Sequence, residues 1–337
     1  MAPRTSNKIE PAQMTLFTTV PLGSFSESTI DLSQMASLVN RRFYRQGLNW
    51  AVAGFKLITG SGVVGEINVQ KLPNSWVMSN AWEKGMRAWL KMNNEALAEN
   101  ESVRPRFMDF KIHADAVHHN AGFASNLLPA SGAGTLLANY QRGEWTASKV
   151  NIPFGPSSPG NTNDLEIMAV GANYNGGTQQ VVSLIEGYAA SRGLPNVVDP
   201  NTPDDADDAS GSTPENWLSA LFNEGTSQVT ETLDDLIEDN NQAPYPFENG
   251  ADPAGGTFTD TMYPGGANQG TGLAVHDFEY VTGTTIGGTT RLKGGNFPCG
   301  LIRIQATNFG EETTGLLLID LVPGHHRGYL CEPMTEM

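Results

Sequence analysis

Short apolar runs, bounded by Gly, Pro or Asn, recur along the chain and limit its fold more than any other sequence feature. Runs of this length with such boundaries are typical of β-strands. We predict strands at Leu16–Val20, Trp50–Ile58, Val63–Gln70, Phe107–Ala114, Lys149–Phe154, Leu165–Val170, Ala274–Val281, Leu301–Ala306 and Leu316–Val322. The last run is almost wholly apolar, which is typical of a strand covered on both faces.

Three predicted helices interrupt the strands. The first is capped by Asn80 and carries an apolar stripe through Trp82 and Trp89. The second spans residues 178–191, and the third follows a capping box that begins at Ser212. Because the helices are few and do not alternate with the strands, we predict an all-β fold, an antiparallel β-sandwich or jelly roll with a few helices in its long connections.

The charges are divided unevenly between the two halves of the chain. Residues 1–150 contain 15 Lys and Arg against 11 Asp and Glu, whereas residues 151–337 contain 5 against 25. No Lys or Arg lies between Arg192 and Arg291, an interval that holds 17 acids. The acidic stretch 195–272 lies between predicted strands, and we interpret it as an acidic, partly helical excursion within a single domain of residues 1–337. An acidic surface repels phosphate, so any nucleic acid must contact the first half.

The remaining composition indicates a protein without disulfides or membrane segments. The two cysteines, Cys299 and Cys331, are too few for a disulfide framework, and we expect them to be reduced thiols. No apolar run is long enough to cross a bilayer, and residues 1–10 lack the apolar stretch of a secretion signal. We expect no membrane insertion.

A glycine-rich segment, Gly60-Ser61-Gly62-Val63-Val64-Gly65, matches the dinucleotide-binding pattern G-x-G-x-x-G. That pattern binds pyrophosphate only where the glycines lead into a helix. Here they lead into an alternating, strand-like stretch, so we interpret the segment as a hairpin turn that binds no nucleotide.

No residue pattern indicates an enzyme, a metal site or a cofactor. His118-His119 and His325-His326 are adjacent pairs, whose side chains point in opposite directions on an extended chain. His113 falls on the polar face of its predicted strand, which favours a solvated side chain. Asp320 lies in an apolar run and could be an acid with a perturbed pKa, but a hydrogen-bonded structural carboxylate is the favoured interpretation. We expect no catalytic residue, no metal ligand and no cofactor.

The densest basic cluster is Asn40-Arg41-Arg42-Phe43-Tyr44-Arg45. Its arginines could neutralise phosphates while Phe43 or Tyr44 stacks on unpaired bases. An extended segment would place Arg41 and Arg45 on one face, and a helical one would place all three arginines on one side. The alternative interpretation is an ordinary exposed strand edge, and the sequence leaves both open.

Several stretches resemble capsid proteins of circular Rep-encoding single-stranded DNA viruses. They are Lys71-Leu72-Pro73-Asn74-Ser75-Trp76, Asn80-Ala81-Trp82, Asp109-Phe110-Lys111-Ile112, Val275-His276-Asp277, Gly295-Asn296-Phe297-Pro298-Cys299-Gly300-Leu301-Ile302-Arg303 and Leu321-Val322-Pro323-Gly324-His325-His326-Arg327-Gly328-Tyr329. The resemblance covers roughly residues 50–337, and its motifs are structural in character. It implies a single jelly roll, which is an antiparallel β-sandwich, over residues 1–337. Its copies would assemble into a small icosahedral shell around a circular single-stranded DNA genome, in a virion assembled in the host cytoplasm or nucleus.

One departure from such capsid proteins concerns DNA binding. They usually begin with an arm rich in Arg and Lys, whereas the first 40 residues here contain only Arg4 and Lys8. The candidate nucleic-acid-binding residues are therefore Arg4, Lys8, Arg41, Arg42 and Arg45, with emphasis on the last three. The alternative function is a non-viral β-sandwich binding module, for example for carbohydrate.

Overall fold

The computed structural model describes residues 11–98, 102, 109–131, 138–153, 162–175, 180–192, 217–220, 272–283, 288–310 and 313–336. The strands are β1 (Thr15–Leu22), β2 (Phe25–Asp31), β3 (Leu48–Ile58), β4 (Gly65–Lys71), β5 (Ala130–Ser131), β6 (Ala138–Asn139), β7 (Lys149–Pro153), β8 (Thr162–Met168), β9 (Tyr174–Asn175), β10 (Gln180–Ser183), β11 (Ala274–Val281), β12 (Thr289–Phe297), β13 (Leu301–Thr307), β14 (Thr313–Leu321), β15 (Pro323–Gly324), β16 (Gly328–Tyr329) and β17 (Cys331–Pro333). The helices are α1 (Leu32–Asn40), α2 (Trp76–Ala98), α3 (Ala116–Ala121), α4 (Leu184–Arg192) and α5 (Trp217–Ala220), with 3-10 turns at Phe123–Ser125, Pro298–Gly300 and Met334–Glu336.

The contacts group the chain into two compact units. The first contains the described residues within 1–74, 121–146 and 273–337, and the second contains those within 75–120 and 147–272. The assignment of residues 1–337 to one domain stays a prediction. Of the acidic excursion predicted at 195–272, the structure describes only Trp217–Ala220 and Gly272.

The eight long strands of the first unit have the pairing of a jelly roll. β1 pairs with β14, β2 with β13, β3 with β12 and β4 with β11, and every pair is antiparallel. Further pairing of β14 with β3, and of β13 with β4, produces two sheets of order β1-β14-β3-β12 and β11-β4-β13-β2. This nesting of first with last strand, second with second-last and so on is the double Greek key of a jelly roll. The predicted fold class is confirmed.

Side chains that alternate along these strands build the core of the first unit. In β1, Leu16, Val20 and Leu22 are buried, and the two sheets contribute to one hydrophobic cluster that includes Trp50 and Ile304. A period of two is what a strand covered on one face requires.

β14 was expected to be covered on both faces, but its burial alternates. Leu317, Ile319 and Leu321 are buried, whereas the residues between them are only half-buried. Among those, Asp320 accepts hydrogen bonds from Lys56 Nζ at 2.6 Å and Thr15 Oγ1 at 2.7 Å. These two bonds, Lys56 first, hold the pKa of Asp320 below its usual range. The interpretation of Asp320 as a structural carboxylate is confirmed.

The second unit packs helices with a small four-stranded sheet of order β7-β8-β10-β9. β7 pairs with β8 antiparallel, whereas β10 runs parallel to β8. Gly85 of α2 lets α4 approach closely, because a Cβ atom there would lie 2.4 Å from Leu184 Cδ2. Trp217 of α5 is buried, and its indole nitrogen donates to the Ser183 carbonyl at 2.9 Å. Among the described helices of either unit, none is both long and apolar enough to cross a membrane.

Several predicted elements differ from the structure. The first predicted helix begins at Trp76, four residues before the predicted cap Asn80. The region predicted as a helix over 178–191 is divided between β10 and α4. Residues 109–114 form no regular strand, and only His113 makes an isolated bridge, to Met168. The sequence analysis missed β2, α1 and β12.

The glycine-rich segment 60–65 is not a hairpin turn. It connects β3 to β4, which lie in different sheets and do not pair with one another. The strand predicted after it is present as β4, so the helix that a pyrophosphate site requires is absent from this described segment.

The two cysteines agree with the expectation of unpaired thiols. Neither forms a disulfide bond, and Cys299 is buried whereas Cys331 is half-buried. Burial raises the pKa of Cys331 to about 12, so this thiol is protonated at neutral pH.

The buried carboxylate of Asp31 joins four parts of the first unit. Its Oδ1 caps α1 by accepting from the backbone nitrogens of Ser33 at 2.9 Å and Gln34 at 3.2 Å. Its Oδ2 accepts from Gln46 Nε2 at 3.0 Å and from Trp145 Nε1 at 2.9 Å. A buried carboxylate is tolerated when donors of this kind surround it.

Replacing Asp31 tests the importance of this network. Asp31→Ala leaves buried donors without an acceptor, each at about 1–3 kcal/mol, and we expect the free energy of unfolding in urea to fall by roughly 3–5 kcal/mol. Asp31→Asn keeps one acceptor oxygen, so its loss is smaller. The control Asp320→Asn disrupts a half-exposed ion pair and is expected to cost less than about 1 kcal/mol. Equal losses in Asp31→Ala and Asp320→Asn would contradict this role.

Candidate functional site

The predicted basic cluster forms a loop between α1 and β3, here called the basic loop (Arg41–Arg45). Arg41 ends α1 with a left-handed φ of 52°, and no helix or strand continues through Arg45. The extended and helical arrangements considered from the sequence are therefore both wrong, as is the interpretation as a strand edge. Arg41 and Arg45 are exposed and Arg42 is half-buried. The other two candidates, Arg4 and Lys8, lie outside the described residues.

The basic loop is anchored to α1 by two serine side chains. Ser37 Oγ accepts from the Tyr44 backbone nitrogen at 3.0 Å, and Ser33 Oγ donates to the Arg45 carbonyl at 3.0 Å. The backbone of the loop is thus positioned by side chains on successive turns of one helix. This arrangement orders the loop so that its arginines project from a defined backbone.

Of the two aromatic residues considered for base stacking, the structure excludes Tyr44, and stacking by Phe43 stays a prediction. Tyr44 is fully buried, with its ring 5.9 Å from that of Trp50 and 5.5 Å from that of Tyr329. Phe43 is half-buried, with its ring 6.4 Å from that of Trp145. Tyr44 cannot reach a nucleobase, because its ring is packed in the core although the neighbouring arginines are exposed.

A fourth arginine joins the basic loop from near the end of the chain. Arg327 is exposed in the turn between β15 and β16, and its guanidinium donates to the Phe43 carbonyl. Its own carbonyl accepts from Tyr44 Oη at 3.0 Å. The sequence analysis missed Arg327 because it is placed in the acidic half, and no local signal connects it with residues 283 positions earlier.

These four arginines can bind a chain of phosphates. Guanidinium groups form bidentate hydrogen bonds with phosphate oxygens and remain charged at any physiological pH. Arg303, by contrast, is 3% exposed on β13 and is unsuited to this role. The basic loop with Arg327 is the candidate phosphate-binding surface of the first unit.

A second cluster lies in the second unit, where His113, His119 and Glu166 come together. His113 was expected to be solvated but is only 2% exposed. His118 and His119 were expected on an extended chain but lie on α3, where His118 is buried and its Nδ1 accepts from the Ala114 backbone nitrogen at 3.0 Å. The sequence analysis missed this cluster because Glu166, on β8, is distant from the histidines along the chain.

The three side chains meet at one carboxylate oxygen. His113 Nε2 and His119 Nε2 each lie 3.1 Å from Glu166 Oε2. The other nitrogen of His119, Nδ1, lies 2.6 Å from Tyr174 Oη. Lys149 Nζ lies 4.0 Å from the second oxygen, Glu166 Oε1.

The surroundings set the protonation of this cluster. A hydrogen bond from His113 lowers the pKa of Glu166, and burial together with the charge of His113 lowers the pKa of His119. Burial, with Asp115 and Glu166 nearby, raises the pKa of Tyr174 to about 12. At neutral pH the cluster therefore presents an ionised carboxylate, a neutral His119 imidazole and a neutral Tyr174 phenol.

No protein-family model matches the chain, and no curated protein or solved structure matches it either. The jelly roll defines the class of scaffold, and the clusters define what chemistry it can support.

The basic loop is tested with Arg41→Ala combined with Arg45→Ala. Loss of two phosphate contacts should weaken binding of single-stranded DNA and reduce the slope of log affinity against log salt by about 1.4. Because Arg327 contacts the loop, Arg327→Ala should also reduce the slope, by about 0.7.

Lys293→Ala is the matched control for these arginine variants. Lys293 is in the first unit, its side chain is 81% exposed, and it pairs with Asp277 at 3.6 Å. Its removal should leave the salt slope unchanged. An unchanged slope in the double arginine variant would show that DNA binds elsewhere.

Proposed function

We propose that this protein is a viral coat protein that self-assembles into a small icosahedral shell around a circular single-stranded DNA genome. The observation that carries the proposal is the strand order of the first unit, β1-β14-β3-β12 and β11-β4-β13-β2. Jelly rolls with this nesting form viral capsids, lectins and cupins, so further features must favour one of these functions.

The lengths of the connections support the capsid function. At one end of the sandwich the connections are short, at residues 23–24, 59–64, 282–288 and 308–312. At the other end, the connection from β4 to β11 is long and spans residues 72–273. A scaffold with short turns at one end and large insertions at the other can vary its surface without changing its core.

The motifs that resemble capsid proteins have structural roles at this second end. Tyr329, in the last motif, packs on Trp50 with ring centroids 5.4 Å apart. Gly300, in the motif before it, has a φ of 66°, and a Cβ atom there would lie 3.0 Å from the Trp50 indole. These residues pack around Trp50 in the core. An aromatic ring at one position and a glycine at the other are what this packing requires.

An exposed apolar row on an edge strand supports self-association. Val275, Phe278 and Tyr280 of β11 are 63%, 42% and 62% exposed. Their register partners on β4 are outward-facing polar residues, so all three lie on the outer face of the sheet. β11 has a register shift between Val275 and Asp277, yet its three exposed apolar side chains remain available for a contact between subunits, as exposed apolar patches often are.

In this function the basic loop contacts the genome. Arg41, Arg42, Arg45 and Arg327 would neutralise DNA phosphates without reading base sequence, as packaging a whole genome requires. The partners are then further copies of the chain and the single-stranded DNA, and the site of action is the virion and the host cytoplasm or nucleus during assembly.

A carbohydrate-binding module is the second candidate, and one observation favours it. The outer face that carries Phe278 and Tyr280 also carries planar polar groups, which together could contact a sugar. However, these groups bond to one another: Gln305 accepts from Asn68 at 3.4 Å and from Gln70 at 3.3 Å, and donates to Glu27 at 3.1 Å. Since their hydrogen-bonding capacity is partly used, the capsid function is favoured.

Imaging and sedimentation of the purified full-length protein test the proposal. Uniform hollow particles in negative-stain microscopy, and a fast-sedimenting species, are expected. Sedimentation showing only monomers and dimers across pH and salt would reject a shell, and binding of an oligosaccharide by such monomers would favour the second candidate.

A variant of the edge strand tests the assembly surface. Phe278→Asp with Tyr280→Asp places charge on the exposed apolar row, so we expect shells to be lost while the circular dichroism of the folded subunit is kept. Val64→Asp is the control, because Val64 is 57% exposed in the connection from β3 to β4 and lies on no strand. Normal shells from the β11 variant would exclude this row from the subunit contact.

A further inference from the structure

We propose that His113, His119 and Glu166 form a binding site for one divalent transition-metal ion, with Zn²⁺ as the best chemical fit. The three ligand atoms all lie within 4.8 Å of one another. The inference is independent of the coat-protein function, because it uses only contacts within the second unit.

The spacing of the ligand atoms matches a tetrahedral ion. Bonds of about 2.0–2.1 Å to nitrogen and oxygen place neighbouring ligands of tetrahedral Zn²⁺ about 3.3 Å apart. The Nε2 atoms of His113 and His119 each lie 3.1 Å from Glu166 Oε2. An ion can therefore bind between these atoms when the two nitrogen–oxygen distances increase by a few tenths of an ångström.

The backbone holds the ligands in place before any ion binds. The His113 nitrogen donates to the Ile167 carbonyl at 2.9 Å, and the His113 carbonyl accepts from the Ala169 nitrogen at 2.8 Å, so His113 is fixed to the strand that carries Glu166. α3, which carries His119, is fixed by Asp115, whose Oδ1 accepts from the His118 nitrogen at 2.9 Å. Preorganised ligands reduce the entropy lost on binding.

Tyr174 acts as a positioning residue for His119. Its hydroxyl lies 2.6 Å from His119 Nδ1, and when Nε2 coordinates an ion, the Nδ1–H group donates to this oxygen. Metal-binding histidines almost always make such a bond with the ring nitrogen that does not coordinate. The hydroxyl contacts the ring nitrogen opposite the one that faces Glu166, so Tyr174 orients His119 and is not itself a ligand.

The donor set selects the class of ion. Two imidazole nitrogens and one carboxylate oxygen favour Zn²⁺ and its first-row neighbours over Ca²⁺ and Mg²⁺, which prefer six or more oxygens. The three ligands leave the fourth tetrahedral position to water. The ion would connect α3, β8 and residue 113, and so stabilise the second unit.

Titration of the full-length protein, stripped with a chelator, tests the site. Zn²⁺ titration should show one tight site, and Co²⁺ should produce the visible absorption of a tetrahedral complex with nitrogen and oxygen ligands. Saturating Zn²⁺ should also raise the melting temperature, because it binds the folded chain. Absence of both the tight site and the Co²⁺ spectrum in the wild-type protein would overturn the proposal.

Variants assign the ligands. His119→Gln and Glu166→Gln should each remove the tight site and the Co²⁺ spectrum, and Tyr174→Phe should weaken Zn²⁺ binding about 10- to 100-fold while the stoichiometry stays at one. His325→Gln, at an exposed histidine of the first unit, should bind as the wild type does. Circular dichroism of each metal-free variant checks its folding. Retention of the tight site in folded His119→Gln and Glu166→Gln would overturn the assignment.

Discussion

The position of the basic loop in the first unit depends on the hydrogen bonds that the Asp31 carboxylate accepts. This carboxylate lies where β2 ends and α1 begins, and it accepts four hydrogen bonds from donors on α1, at Gln46 and at Trp145. Gln46 follows the basic loop and precedes β3. The Asp31 carboxylate therefore fixes both ends of the connection from β2 to β3, which contains α1 and the basic loop. The position of Arg41 and Arg45 in space therefore follows from a satisfied buried carboxylate.

The residues that stabilise the fold and the residues of the candidate sites lie in different segments of the chain. The eight paired strands and the cluster around Trp50 supply the buried apolar area, whereas the basic loop, Arg327 and the histidine cluster lie in connections or at strand ends. A jelly roll allows this division because its antiparallel pairs need only short turns, so longer connections are free to carry charged groups. The coat-protein function and the metal site are proposals about these connections.

The strands missed from the sequence show why local patterns fail at particular residues. β12 contains Gly294 and Gly295, which have low strand propensity, yet a Cβ atom at Gly294 would lie 2.2 Å from the Val52 carbonyl oxygen. The neighbouring strand thus requires the residues that hide β12 from a propensity argument. By contrast, Asp31 is a capping residue directly before α1, and this signal was present in the sequence but not used.

The sequence by itself determined that several segments, such as those of β1 and β13, alternate as strands, that the fold class is all-β, and that Arg41, Arg42 and Arg45 stand together. These properties are local, since the period of a strand and the spacing of charges are set by residues a few positions apart. Only the tertiary structure decided that Tyr44 is buried, that Arg327 joins the basic loop, and that His113 and His119 meet Glu166. Each of these depends on strand pairing or on packing between segments far apart in the chain, and no local pattern specifies which distant partner a side chain will meet.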